Sequence, residues 1–177
     1  MPEEQIKGQD GRQQGIDLYE EDIYEKKEVK GDAIQLVVFR LSTEWYGVEI
    51  SKAKEVIKVE TVTYLPSSPG HIAGIVNVRG NILSVTDLKK LFGLAQTGLT
   101  DDSRLVVIDS SGIETGLLVD EVDEVVEAPL CKIDPALTTI VPEKSEYITG
   151  ECQVGNKLIG ILNIDKVLGR GQVITGN

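Results

Sequence analysis

Few side chains in this sequence have the type and spacing that covalent or acid–base chemistry needs. His71 is the only histidine, so a serine or cysteine triad would have to run through it. No G-x-S-x-G elbow, Walker loop or strand-linked G-x-G-x-x-G accompanies it. It follows the turn sequence Ser67-Ser68-Pro69-Gly70, and a polar residue at a strand start accounts for it. Phosphotransfer histidines face out from helical bundles, which this sequence does not encode. The carboxylate pairs Asp101-Asp102 and Asp120-Glu121 suggest a metal or an acid–base dyad at first sight, but adjacent strand residues point to opposite faces. They read as a turn and a solvated edge. Cys131 and Cys152 lack a C-x-x-C partner or nearby histidine and read as small apolar residues in a reducing compartment, forming neither disulfide nor zinc site. The expectation is a protein with no catalytic residues, no cofactor and no metal.

One local sequence stands apart: Gly74-Ile75-Val76-Asn77-Val78-Arg79-Gly80-Asn81. A strand that ends in Asn-x-Arg-Gly-Asn is a turn signal, with Gly80 or Asn81 suited to positive φ. Arg79, held on such a turn, presents a planar five-donor group. It either projects toward a partner or pins Glu55 or another carboxylate, and the two roles are compatible.

The elements that must position this turn are short. Runs such as Leu36-Val37-Val38-Phe39, Tyr46-Gly47-Val48-Glu49-Ile50 and Val56-Ile57-Lys58-Val59, then 72–76 and 82–85, are β-branched and bounded by turn residues, and so predict strands. The second half continues with 105–108, 116–119, 122–126, Tyr147-Ile148 and 158–162. Helical pattern is confined to 87–92, stopped by Gly93, and 164–168, stopped by Gly169. Prolines 66, 69, 129, 135 and 142 fall in the connections.

The strands repeat. Residues 34–57 align with 103–126 at an offset of 69, placing Leu36-Val37-Val38 on Leu105-Val106-Val107 and Gly47 on Gly116. Residues 72–92 align with 148–168 at an offset of 76, placing Gly74 on Gly150 and Val85 on Ile161, so the second half has one connection seven residues longer. The fold expected is mainly β: two similar five-stranded small β-barrels packed side by side with few short helices, each too small to be stable alone. Half one spans about 33–99 and half two about 100–168, between an acidic arm over 1–32 and a short tail over 169–177. In the arm, Ile16, Tyr19 and Ile23 fall at helical spacing within an otherwise solvated segment. Whether strands are exchanged between the halves is left open.

Composition bounds the partners. Eighteen basic against twenty-nine acidic residues leave a net charge of −11, which repels nucleic-acid phosphates and anionic membrane surfaces. No apolar run approaches the roughly 20 residues that span a bilayer, and the acidic start does not resemble a secretory signal. The expectation is a soluble intracellular protein that neither binds nucleic acid nor inserts into a membrane.

The segments Glu44-Trp45-Tyr46-Gly47-Val48-Glu49-Ile50, Ala53-Lys54-Glu55-Val56, Leu65-Pro66, the Asn77-Val78-Arg79-Gly80 turn, Gly116-Leu117-Leu118-Val119-Asp120 and Glu146-Tyr147-Ile148-Thr149-Gly150 run in an order and spacing that resembles the CheW family over roughly 33–168. The resemblance implies two packed five-stranded barrels. It also implies a cytoplasmic, non-catalytic adaptor that couples the cytoplasmic hairpin tip of chemoreceptors to the regulatory domain of the histidine kinase CheA, held at the inner face of the membrane through receptor arrays. By position, the partner-binding residues it implies are Arg79 and Glu55, with Asn77, Gly80, Ala53 and Val56 beside them and Leu105 toward the groove between barrels. The family commonly has a proline after the arginine turn where this chain has Ser84. The competing class is a small acidic β-barrel that binds a ligand or nucleic acid.

Overall fold

The computed structural model describes residues 32–135 and 142–171. Most of the acidic arm, including the helical spacing at Ile16, Tyr19 and Ile23, and the end of the tail lie outside the described residues. In chain order the elements are β1 (Ala33–Leu41), β2 (Glu44–Glu49), β3 (Ala53–Lys58), β4 (Ile72–Val78), β5 (Asn81–Asp87), α1 (Leu88–Leu91), β6 (Arg104–Ser110), β7 (Ile113–Val119), β8 (Glu121–Pro129), β9 (Ile133–Asp134), α2 (Pro142–Ser145), β10 (Ile148–Val154), β11 (Lys157–Leu162) and α3 (Ile164–Gly171). The mainly β class matches the expectation.

The strands form two sheets, of order β8-β1-β2-β11-β10-β9 and β3-β6-β7-β5-β4. Six and five strands thus replace the expected five and five, the addition being the two-residue β9. The ladders leave β3 and β4 as the edges of one sheet and β8 and β9 as the edges of the other, so each sheet has an open seam where a closed barrel has none.

Why the strands read as continuous apolar runs follows from where their two faces go. Val37 and Phe39 face a cluster between the sheets, with Val106, Ile108 and Leu117 across from them. Their neighbours Leu36 and Val38 face a second cluster with Ala128, Cys152 and Ile159, and Leu105 faces a third with Val59 and Val85. A strand buried on both faces has no polar alternation to show, as in the strands of doubly covered sheets. Burying one Leu or Phe side chain stabilises by roughly 1.5–3 kcal/mol, so the first cluster holds the two sheets to each other and the other two each consolidate one sheet.

The repeat in the sequence has a counterpart in the register. Val38 pairs with Gly47 in β1–β2, and Val107 pairs with Gly116 in β6–β7. Leu36 pairs with Val126 in β1–β8, and Leu105 with Ile57 in β6–β3, with a bulge at the equivalent place in each ladder. Even the glycines agree: a Cβ on Gly47 would lie 3.3 Å from Leu36, and one on Gly116 3.4 Å from Leu105. The pairing also answers the question left open by the sequence. β3 joins the sheet of β6 and β7, while β8, β10 and β11 join that of β1 and β2, so each sheet takes two strands from one half and the rest from the other.

Helix α1 begins where expected: the Asp87 side chain caps it by accepting from the Lys90 N–H, and Gly93 at φ 74 follows its end. Helix α3 corrects the expectation, because it runs through Gly169 to Gly171. Ile164, Val167 and Leu168 are buried on one face, and a helical glycine costs only about 1 kcal/mol relative to alanine, less than that packing supplies.

The longer connection of the second half is tied down by Lys144 on α2. Its ammonium is almost wholly buried, 2.5 Å from Glu44 Oε1 and 2.9 Å from the Tyr46 hydroxyl, which itself donates to Glu44 at 2.6 Å. Burial pushes the Glu44 carboxyl up, but the hydrogen bonds from Lys144 and Tyr46 and the ammonium charge outweigh it and hold the carboxyl below its ordinary value. Burial, reinforced by the Glu44 hydrogen bond and charge, pushes the Tyr46 phenol above its usual range. Because the folded-state value of Glu44 is depressed, its contribution is fully present above the ordinary value of 4.5 and is lost as pH falls through the folded value. Glu44 is half exposed, which limits the contribution to about 1 kcal/mol. Glu44→Gln is therefore expected to lower unfolding stability by about that amount near neutral pH, with the gap from wild type closing on acidification in parallel urea titrations. A gap independent of pH would contradict the assignment.

Candidate functional site

The turn singled out in the sequence joins β4 to β5 through two residues, Arg79 and Gly80, with Val78 paired to Asn81 across it. Both carry positive φ, 51 for Arg79 and 89 for Gly80, as a two-residue hairpin turn of the primed type requires. Gly80 adopts this conformation freely, whereas an arginine there is held against a cost of roughly 1–2 kcal/mol. The Asn77 side chain accepts a hydrogen bond from the Gly80 N–H at 2.8 Å and steadies the turn.

Arg79 is held from the other side by Glu55. Its Nη2 donates to Oε1 and Oε2 of Glu55, both at 2.5 Å, where the glutamate side chain is 6% exposed and the arginine 61%. Glu55 lies on edge strand β3 just past the bulge between Ala53 and Glu55, and a bulge re-aims the side chains that follow it. The pair therefore links an edge strand to the hairpin at the opposite side of the same sheet, with most of the arginine side chain exposed.

Between these two edges lies a cavity of about 420 Å³, lined by Ile57, Val59, Ile75, Val76, Ile82 and Leu105, with Lys58, Glu60 and Asn77 among its polar residues. Ile82 sits opposite Asn77 in the ladder and is 64% exposed, an apolar side chain beside a groove of mixed polar and apolar lining. Tyr64, on the connection from β3 to β4, is also largely exposed.

The structure thus separates the sequence-derived candidates. Arg79, Glu55, Asn77 and Gly80 come together at one turn and its clamp, and Leu105 lines the adjoining groove. Ala53 and Val56 pack instead on the apolar cluster between the sheets, beside the clamp in sequence but away from the groove. The sequence reasoning missed Ile82. Its signal was present in retrospect: a two-residue turn at Arg79-Gly80 fixes Ile82 opposite the polar Asn77, and so on an outward face.

Of the residues considered for chemistry, Asp120 and Glu121 have structural occupations, and His71 is tied in through its main chain. The His71 carbonyl accepts from the Asp87 N–H. Asp120 pairs with Lys89 at 3.0 Å and accepts from the Ser42 N–H, and Glu121 holds Arg40 at 2.7 Å. Among the described residues, no group of three or more His, Cys, Asp or Glu side chains is arranged to hold a metal. Cys152 is a buried free thiol whose pKa is raised by burial, against the pull of Lys132.

Residues 35–172 match the family model of the CheW-like domain. The chain is 32% identical to a chemotaxis protein CheW of Klebsiella aerogenes over 136 residues, covering 76% of this chain and 81% of the relative. It is 27% identical to a chemotaxis protein CheW of Bacillus subtilis over 134 residues, covering 76% and 86%. The crystal structure of the scaffolding protein TtCheW from Thermoanaerobacter tengcongensis superposes with a TM-score of 0.68 at 35% identity, covering 78% of this chain and 90% of that one. No helix among the described residues is long and apolar enough to cross a membrane.

Proposed function

We propose a function from the premise that this chain belongs to the CheW family. Its relatives are chemotaxis proteins, and the solved neighbour is a scaffolding protein. The role is that of a chemotaxis adaptor, and the finer reading is a non-catalytic coupling piece between the cytoplasmic hairpin tip of chemoreceptors and the regulatory domain of the histidine kinase CheA. It acts in the cytoplasm, at the membrane only through the receptors it binds. The coupling unit is 33–168, with its repeats at about 33–99 and 100–168, and the acidic arm is a separate appendage.

The observation that carries this reading is the Arg79 turn. A guanidinium pinned by a buried carboxylate, on a side chain 61% exposed beside the groove, has the makings of an interface anchor: a fixed direction, an accessible charge and the exposed Ile82 beside it. Arg79 supplies orientation, Ile82 supplies apolar area, Leu105 forms the buried floor of the groove, and Glu55, Asn77 and Gly80 fix the geometry. Ala53 and Val56 set the position of β3 from within. Individual contacts of this size are weak, and an array multiplies them.

The test is binding of the purified chain to a kinase regulatory domain and, separately, to a receptor hairpin fragment. Association with both is expected, weakening as salt rises because a guanidinium anchors the contact. Absence of binding to either partner would overturn the reading. A fluorescent single-stranded oligonucleotide titrated at low salt is expected to show no binding, given the charge of −11.

A further inference from the structure

The two halves of the chain recognise each other almost entirely through contacts that do not involve their covalent link. Within half one, strand pairing is limited to the hairpins β1–β2 and β4–β5, and β3 has no partner but β6. Within half two, β8 likewise pairs only with β1. The parallel ladders β2–β11 and β5–β7 complete both sheets across the halves. Isolated hairpins are marginal in water, so each half is folded by the other.

Five ion pairs also cross the halves, while Arg79–Glu55 and Lys157–Asp123 lie within one half each. Arg40–Glu121, Lys52–Asp165, Lys54–Glu114, Lys89–Asp120 and Lys144–Glu44 each join one half to the other. Against this stands a single connection, residues 93–103, which takes part in no sheet. Residues 95–102 of it are exposed, Gly93 and Gly98 carry positive φ, and its ties include a Lys89–Thr97 hydrogen bond and a local Thr100–Ser103 turn.

We propose that two copies of this chain exchange halves, so that residues 33–92 of each copy fold against residues 104–171 of the other. Every ladder, apolar cluster and ion pair across the halves is then remade unchanged, and only the path of residues 93–103 differs between the closed monomer and the exchanged dimer. The partner is a second copy of the chain, selected by the same complementarity that folds the monomer. The dimer carries two Arg79 turns on one particle, which gives it a bivalent binding surface. The inference rests on the pairing of the halves and not on the proposed function.

Lys89 and Asp120 supply the test. They lie on opposite halves, 3.0 Å apart, with side chains 8% and 18% exposed. One chain carries Lys89→Glu and a second, tagged, carries Asp120→Lys, so each alone buries like charges in its closed form. In the exchanged pair the new glutamate meets the new lysine, while the native Lys89 of one chain meets the native Asp120 of the other. Unfolded together and refolded, the two are expected to yield a species of twice the chain mass containing one of each, with a melting temperature above that of either alone. Monomers only, homodimers only, or aggregation no better than in the separate refoldings would overturn the proposal. Should either variant fail to fold by itself, the mixture remains decisive, because exchange restores both ion pairs. Mass is the readout, so failure here leaves receptor and kinase binding untouched.

Discussion

Replacing Gly74 by alanine is expected to be the most destabilising single-methyl change in the molecule. A Cβ at that position would lie 2.1 Å from the Thr63 carbonyl oxygen, 2.8 Å from its carbon and 2.9 Å from Val62 Cγ1, on a backbone with φ of +150. Two of those atoms are main chain, so no side-chain rotation relieves the clash. The obstructing residue is fixed by hydrogen bonds on both sides: the Thr63 N–H donates to the Ile75 carbonyl at 2.8 Å, and the Ile75 N–H donates to that of Thr63 at 2.9 Å. Relief requires breaking this bridge and moving the segment that forms one wall of the groove.

We expect Gly74→Ala to lose about 3–4 kcal/mol, the range of severe strain and lost buried hydrogen bonds, and to melt about 10 °C lower. Two other glycines calibrate the claim. At Gly80 the φ of +89 is unfavourable to alanine, but nothing lies within 4 Å, so backbone strain of about 1 kcal/mol is the whole cost. At Gly150, the counterpart of Gly74 in the repeat, a Cβ meets Ile133 Cγ2 at 2.9 Å, which a small side-chain shift can ease, and the main-chain Asp134 carbonyl oxygen at 3.1 Å, which must give by a few tenths of an ångström. The order of loss expected from thermal or urea unfolding is Gly74, then Gly150, then Gly80. A Gly74→Ala protein as stable as wild type would refute the geometry of that wall.

How much of this was legible in the sequence depended on whether the information is local. The repeat was legible because equivalent strands keep equivalent registers, down to the bulges that follow Val37 and Ala53. The exchange of strands was not, for a related reason. Since β1 and β6 carry nearly the same pattern, β3 fits beside either by sequence, and only the path of the connections decides that it joins β6. The turn at Arg79 was legible because glycine and asparagine mark it chemically, and Glu55 was one of the carboxylates its arginine was expected to pin. The groove was not, because it exists only where β3 and β4, consecutive in the chain but at opposite edges of their sheet, face each other across an open seam. Helix α3 passing through Gly169 belongs with the groove: tertiary burial of Ile164, Val167 and Leu168 overrides a local stop signal.

Arg79 has two functions to separate, a clamp on Glu55 and a contact with a partner, and substitutions at both positions distinguish them. Arg79→Glu is expected to weaken binding to the kinase regulatory domain or the receptor fragment about 30-fold or more, as the loss of an arginine anchor worth about 2 kcal/mol entails. It also sets a second carboxylate against the buried Glu55, so some stability is lost with it. Arg79→Gln isolates the clamp: the pair is exposed on the arginine side, and its removal costs about 1–2 kcal/mol. Adding Glu55→Gln to that variant removes the orphaned charge and is expected to return most of the lost stability while leaving binding impaired, because the guanidinium that met the partner is still gone. Recovery of binding together with stability in the double variant would show that Arg79 acts only by holding β3 to the hairpin. In that event the exposed face of the turn is not the anchor, and the search for one moves to Ile82 and the groove.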